Sequence, residues 1–281
     1  MPLGKAVEYG SLSARCHVIR SQLITPQTLE QLAGSRGIGE LASTLSTTQY
    51  GSFITEVSTE GVQRGLSDAF AYQRKKILRG LQERHREIFK LFFITKYGLL
   101  DEKISKKKTI NPEETFHQID KNYSRLLKKS MLQIPSSERH QLKKIVGSYF
   151  DLLNLYTLVK FRLLHRLSVE ETLTYMLPFA ENFKLGELAK LCRIENLQQL
   201  SSAIKPIVSE GFGSYETFRK ALYHYHRKYL LSVWSGYPFS IAIPFSLLRL
   251  IEIEIADLRA ITEGVSFGLD KREIMTMTVG D

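Results

Sequence analysis

The sequence has little cysteine, and its two cysteines, Cys16 and Cys192, lie far apart in the chain. Two isolated thiols form neither a disulfide framework nor a metal-ligand pattern, so we expect a reducing compartment and no bound metal. The N-terminal residues lack the apolar segment that a secretion signal needs, so no such signal is expected.

Long hydrophobic runs are also missing. The most apolar stretch, residues 241–251, is short, contains Pro244 and is interrupted by Arg249. A membrane span needs about 20 apolar residues, so we expect that the chain does not cross a bilayer. Asn-Gly and Asp-Gly hairpin signals are absent and apolar residues recur at helical spacing, which predicts an all-α fold.

The sequence lacks the motifs of common catalytic and cofactor sites. It contains neither a phosphate-binding GxxxxGK[ST] motif nor a GxSxG motif, and the glycines of 34–39 are in the wrong order for dinucleotide binding. His224 and His226 are two residues apart on a helix, so their imidazoles point to different faces and do not share a metal. We therefore expect a protein that is not an enzyme, with no catalytic residues, no cofactor and no small-molecule substrate.

Positive charge is concentrated in the middle of the chain. Residues 72–145 contain 19 Lys/Arg and 8 Asp/Glu, a net charge of +11, whereas the whole chain carries +10. Such a region suits nucleic acid, an acidic protein or an anionic membrane surface. A solvated helical face without a partner is an equally open interpretation. The basic run at 103–114 has no aromatic residue for base stacking, which argues against nucleic acid.

Apolar periodicity predicts four long helical segments. They are Glu60 to Phe93 as one helix with a kink at Gly80, Thr115 to Met131, Ser136 to His165 with a serine cap, and Ile243 to Gly264 with the glycine as its stop. The alternation of Ile and Glu over 251–255 is typical of a strand. It breaks at Ala256, and the surrounding apolar stripe is too long for a strand, so a helix is predicted.

One pattern occurs twice at an offset of 103 residues. Asp151 and Asn154 correspond to Glu254 and Asp257, with Leu next in both cases. A capping box follows each helix, Ser168-x-x-Glu171 and Asp270-x-x-Glu273, and Thr25-Pro26 is a related helix start. These matches predict helical repeats with bounds 1–135 for a divergent, shortened first repeat, 136–235 for the second, and 236–281 for a third that packs back on the N-terminal helices.

These residues resemble the family of the C subunits of V-type and A-type ATPases, which are named d subunits in the eukaryotic pumps. The third repeat follows the family pattern closely, except that Asp257 stands where the family usually has Asn. The candidate first-repeat helix has Gly98 in place of the acid. It lies 151 − 98 = 53 residues before Asp151, instead of about a hundred, which suggests a loss of residues between the first two repeats. The residues assigned to the structural family motif are Tyr9, Arg15, Asp151, Asn154, Glu254, Asp257 and Arg259.

The resemblance implies a non-catalytic subunit with an elongated or funnel-shaped body of helical bundles. It would lie on the cytoplasmic side of the membrane as a peripheral protein, between the central stalk and the membrane-embedded rotor ring of a V/A-type ATPase. Ion pairs of Glu254 and Asp257 with Arg259 or Arg162 would fix the helix register. The basic residues Lys106, Lys107 and Lys108 would contact acidic stalk surfaces or lipid headgroups.

Three other functions stay open at this point. A basic helical protein that binds nucleic acid would use the positively charged middle, and its binding would depend steeply on salt. A divergent relative could serve as an adaptor outside the rotary ATPase. An enzyme is the least favoured, because each acid pair lies on an apolar helix without a nearby nucleophile.

Overall fold

The computed structural model describes residues 2–95 and 112–280, with side chains at 4–93 and 122–280. All regular elements within these ranges are helices, so the predicted all-α class is confirmed. The α-helices are α1 Pro2–Ser21, α2 Pro26–Ala33, α3 Ile38–Ser46, α4 Thr59–Gly80, α5 Glu83–Lys90, α6 Pro112–Leu132, α7 Ser136–Leu158, α8 Val169–Thr174, α9 Leu185–Leu191, α10 Leu197–Ile204, α11 Tyr215–Ser232, α12 Ala242–Ser266 and α13 Lys271–Met277.

The helices form two compact units. The first unit comprises Met1–Gly80 and Leu230–Asp281, and the second comprises Leu81–Tyr229. These bounds differ from the repeat bounds at 135 and 235, because a compact unit is defined by contacts and a repeat by related sequence. The division into three repeats therefore stays a prediction.

Helix α12 is the centre of the first unit. It packs against α1, α2, α3, α4 and α13, and its side chains are buried on nearly all sides. A helix surrounded by other helices is apolar around its whole circumference. This is why Ile251, Ile253 and Ile255 are all buried, although their alternation resembles a strand. The predicted helix over Ile243–Gly264 is confirmed.

Helix α7 has the same place in the second unit. It packs against α6 and α9, and its C-terminal half enters the core together with residues of α9, α10 and α11. The helix continues through a π-helical segment at Val159–Leu164, so the predicted segment Ser136–His165 is essentially correct. Pro135 is the N-terminal cap residue without a side-chain bond, so the predicted serine cap is wrong. The predicted helix over Thr115–Met131 is confirmed as α6.

The predicted single helix over Glu60–Phe93 is wrong. Helix α4 ends at Gly80, and α5 begins at Glu83, followed by a π-helical segment at Leu91–Thr95. A Cβ at Gly80 would lie 3.0 Å from Cδ1 of Leu12, so the glycine allows α1 and the end of α4 to approach closely. Gly80 thus marks a helix end and a unit boundary, where a kink was predicted.

Helix α12 ends at a different glycine from the predicted one. Gly264 lies inside the helix, and a Cβ there would lie 2.6 Å from Cγ1 of Ile274 on α13. The chain turns at Gly268, whose φ is +69°. The N–H of Leu269 donates to the carbonyl of Gly264 and the N–H of Gly268 to that of Val265. This is a Schellman motif, which favours glycine at the left-handed position.

Candidate functional site

In the second unit, α7 places Asp151 and Asn154 one turn apart in the core, and both side chains are fully buried. The two carboxylate oxygens of Asp151 accept the backbone N–H groups of Asn182 and Phe183, each at 3.0 Å. The hydroxyl of Tyr225 on α11 donates to the same carboxylate. The acid thus holds the start of α9 and the middle of α11 against α7.

Asn154 binds both polar groups of one backbone residue. Its Oδ1 accepts the N–H of Leu177 at 2.8 Å, and its Nδ2 donates to the carbonyl of Leu177 at 3.1 Å. An amide is the side chain that offers an acceptor and a donor side by side. Asn154 therefore fixes the segment that follows α8.

Burial governs the ionisation of this cluster. It raises the pKa of Asp151 above its ordinary value of 3.8, while the bonds from Tyr225 and from backbone N–H groups act in the opposite direction. Burial and the neighbouring Asp151 raise the pKa of Tyr225 as well. The proton of their shared hydrogen bond consequently stays on the tyrosine.

In the first unit, α12 places Glu254 and Asp257 in the equivalent positions. Glu254 accepts the backbone N–H of Ile24 at 2.8 Å and the hydroxyl of Tyr50 at 2.6 Å. Asp257 accepts the N–H groups of Val279 at 2.7 Å and Gly280 at 2.8 Å. These donors explain how two acids tolerate neighbouring places on an apolar helix: each carboxylate receives its own pair of hydrogen-bond donors.

Both units therefore contain the same arrangement, which we call the acid clamp: the side chains of Asp151 and Asn154 in the second unit, and of Glu254 and Asp257 in the first. In each, the first side chain accepts the N–H of the residue that precedes a helix cap. That residue is Phe183 before α9 in the second unit and Ile24 before α2 in the first.

The second side chain of each clamp binds the segment after the following short helix. Asn154 binds Leu177, and Asp257 binds Val279 and Gly280. The clamp in the first unit therefore joins residues from both ends of the chain, since α2 precedes and α13 follows α12.

The sequence offset between the clamps changes by one residue. It is 103 at Asp151 and Glu254 but 102 at the caps Ser168 and Asp270, both of which form the predicted capping boxes. The π-helical segment at Val159–Leu164 lies between these points in the second unit. A π-helical turn accommodates one extra residue in an α-helix, which accounts for the difference.

The exits of the two clamp helices are equivalent too. Arg166 has a φ of +59° and Gly268 has a φ of +69°, and each lies two residues before its capping residue. Both helices thus turn through a left-handed residue. In the second unit this residue is an arginine, which is strained there in a way that glycine is not.

The remaining predicted site residues have different surroundings. Tyr9 is buried in α1, Arg15 is half-buried on the same helix, and Arg259 is exposed. Arg259 donates to the hydroxyl of Ser67, and Arg162 donates to the carbonyls of Cys192 and Leu167. The predicted ion pair of Arg259 with Glu254 or Asp257 is therefore wrong, because its guanidinium group bonds to Ser67. The pairing of Arg162 stays a prediction.

Two groups of predictions lie outside the described residues. They are Lys106, Lys107 and Lys108, and the candidate first-repeat helix around Gly98. Sequence reasoning missed Tyr50 and Tyr225 as partners of the acids. The motif Thr47-Thr48-Gln49-Tyr50 was a signal for the first of these, and the second had none.

The described residues show neither a metal cluster nor a membrane span. Within them, no group of three or more His, Cys, Asp or Glu could hold a metal ion. No helix in the same ranges is long and apolar enough to cross a membrane. His224 bonds to Glu210 and His226 to Ser148, so the two imidazoles do point to different partners.

Comparison with known proteins identifies the family. The sequence matches the family described as "ATP synthase (C/AC39) subunit" over residues 12–98 and 95–277. The chain belongs to this family. Its members are the non-catalytic C subunits of V-type and A-type ATPases.

A curated relative is longer than this chain. The C subunit of the A-type ATP synthase of Thermococcus onnurineus (strain NA1) is 22% identical, and the alignment covers 99% of this chain and 91% of the relative. It runs over 343 positions although this family member has 281 residues, so the relative has segments that this chain lacks. The two family matches meet at residues 95–98, which is where missing residues are expected from the motif spacing.

Proposed function

We propose that this chain is the rotor adaptor of a V/A-type rotary ATPase, a peripheral subunit on the cytoplasmic side of the membrane. It couples the central stalk to the membrane-embedded ion-translocating ring. Family membership indicates the complex in which the chain works, and the acid clamp is the observation that supports the coupling role.

Coupling requires a body that transmits torque without deforming. The clamps meet this need because each connects a segment that is distant in sequence to the central helix of its unit. Ile24 is joined to Glu254 on α12, and Phe183 is joined to Asp151 on α7. Hydrogen bonds to a charged group contribute roughly 1.5–3 kcal/mol each. A local opening of either clamp would leave a buried carboxylate without its donors, which makes such opening rare.

The lysines of the basic middle provide a test of the contact with partners. Replacing Lys106, Lys107 and Lys108 with Gln is expected to weaken assembly with acidic surfaces, and the loss should grow as the salt concentration falls, since salt screens such contacts. The measurement is the yield of co-purified ATPase subunits over a range of salt concentrations. Equal yields for parent and variant at every salt concentration would remove these lysines from the interface.

The proposed function is tested by co-purification. The tagged chain is extracted from its native membranes in mild detergent, and the accompanying chains are identified by mass. Stoichiometric stalk and ring subunits of a rotary ATPase are expected. Nucleic acid or unrelated chains in their place would favour the alternatives of a basic nucleic-acid-binding protein or an adaptor outside the ATPase.

A further inference from the structure

Helix α6 presents a basic face that the acid clamps do not use. Arg125, Lys128, Lys129 and Leu132 lie at positions i, i+3, i+4 and i+7, which form one stripe on a helix. All four side chains are exposed, and Leu126 beside them is exposed as well. The opposite stripe, with Tyr123, Leu127 and Met131, is buried in the second unit. We call the five exposed residues the basic face of α6.

The sequence around this face is mainly basic. From Asn122 to Lys144 the chain has six Lys/Arg and a single acid, Glu138, which is buried beside His85. Among the residues that the structure describes, Lys128 and Lys129 form no ion pair. These two charges can therefore attract an anionic partner.

The end of α6 is held in place. The guanidinium of Arg139 on α7 donates to the carbonyls of Leu132 at 2.7 Å and of Ile134 at 2.8 Å. These bonds satisfy carbonyl groups that a helix C-terminus otherwise leaves without donors. Leu132 is 60% exposed and Leu126 is 42% exposed, so two apolar side chains project from a rigid basic surface.

We propose that the basic face of α6 docks on the anionic headgroups of the membrane, with Leu126 and Leu132 entering the boundary between headgroups and acyl chains. This inference rests on the proposed function, which seats the chain beside a membrane-embedded ring. Lysines attract anionic lipid and keep their ammonium groups at headgroup level while their stems reach inward.

A lipid surface fits this face better than a protein does. The centres of protein interfaces are enriched in aromatic residues and arginine and depleted of lysine, whereas this face has two lysines, two leucines, a single arginine and no aromatic side chain. Nucleic acid is disfavoured for the same lack of stacking groups.

The test is co-sedimentation of the purified full chain with lipid vesicles. One set of vesicles is pure phosphatidylcholine, and the other is an equimolar mixture of phosphatidylcholine and phosphatidylglycerol. The parent chain is expected to bind the mixed vesicles and not the neutral ones. Each cation near an anionic surface contributes about fivefold to the partition coefficient, so the triple variant R125Q/K128Q/K129Q should bind about a hundredfold more weakly.

Two further variants distinguish vesicle binding by this face from vesicle binding by net positive charge alone. The control K184Q/K205Q/K228Q changes the net charge equally at exposed positions outside α6 and should bind like the parent. The variant Leu132→Ser keeps all charges and should bind about tenfold more weakly, because an apolar contact is lost.

Several results would overturn the inference. They are equal binding of parent and R125Q/K128Q/K129Q, an equal loss in the control, or equal binding of the parent to neutral vesicles. Loss of ATPase subunits from R125Q/K128Q/K129Q in detergent extracts would show that a protein occupies the face. The vesicle experiment needs no other subunit, so its failure is distinct from a failure of the rotor-adaptor function, which would appear as missing ATPase subunits with the parent chain.

Discussion

The difference between Asn154 and Asp257 can be tested by exchanging their side-chain types. Asp257 faces two N–H donors, those of Val279 and Gly280, and its side chain is 2% exposed. In Asp257→Asn the amide oxygen keeps one donor while the NH₂ group faces the other. One charge-assisted bond is lost and one buried N–H is left without an acceptor, so we expect the unfolding free energy to fall by about 2–3 kcal/mol.

The opposite exchange, Asn154→Asp, is expected to destabilise the protein for a different reason. Asn154 accepts the N–H of Leu177 and donates to its carbonyl. In Asn154→Asp a carboxylate oxygen would face that carbonyl in a fully buried site, so we expect a loss of about 3 kcal/mol or more at neutral pH. The loss should shrink as the pH falls, because a protonated carboxyl can donate to Leu177.

The assay is urea unfolding of the parent and the single variants, followed by circular dichroism, with the free energy taken from the midpoint and slope. Glu263→Gln is the matched control, since it changes a carboxylate to an amide at an exposed position of the same helix as Asp257. The control should change the free energy by less than about 0.5 kcal/mol. If both exchanges were as mild as the control, the donor and acceptor pattern would not be what selects these side chains.

Three further predictions concern the helix exits and the buried hydroxyl and carboxyl groups. Arg166→Gly should raise the unfolding free energy by about 0.5–1 kcal/mol and Gly268→Ala should lower it by about 1 kcal/mol, because the backbone is left-handed at both positions. The measurement is urea unfolding, and no change in either variant would mean that the helix exits are not strained. Tyr50→Phe should cost about 1–2 kcal/mol, since Glu254 loses its hydroxyl donor, and a cost near zero would show that the bond is not formed in solution. The raised pKa of Asp151 means that its carboxyl group holds a proton more tightly in the folded chain than in the unfolded chain, so the contribution of Asp151 to stability falls as the pH rises from 3.8 through the folded pKa. The difference in unfolding free energy between the parent and Asp151→Asn should therefore shrink over that range. A difference that grew with pH would contradict the assigned direction of the pKa shift.

Local patterns in the sequence were sufficient for the two capping boxes and the central helices. The capping boxes at Ser168 and Asp270 depend on residues three apart, and both are formed. The strand-like alternation at 251–255 was resolved correctly by the length of the surrounding apolar stripe. These features depend on neighbours in the chain, which a single sequence contains.

The partners of the acids depend on distant segments and could not be predicted in the same way. Glu254 binds Ile24, which is 230 residues away, through a backbone N–H that every residue type except proline carries. A nearby arginine is the more visible candidate in a sequence, which is why Arg259 was assigned to the wrong partner. The close approach of Leu12 to Gly80 likewise involves a distant segment. The π-helical segment after α7 was not predicted, although the change in offset is present in the sequence.

The most direct test of the coupling role uses membranes from cells that lack this chain. Inverted vesicles are prepared, purified chain is added back, and ion transport is measured together with ATP turnover in the direction in which the pump runs. We expect that the two processes are uncoupled without the chain and that the added chain restores their fixed ratio. Full coupling in its absence would contradict the assignment as rotor adaptor.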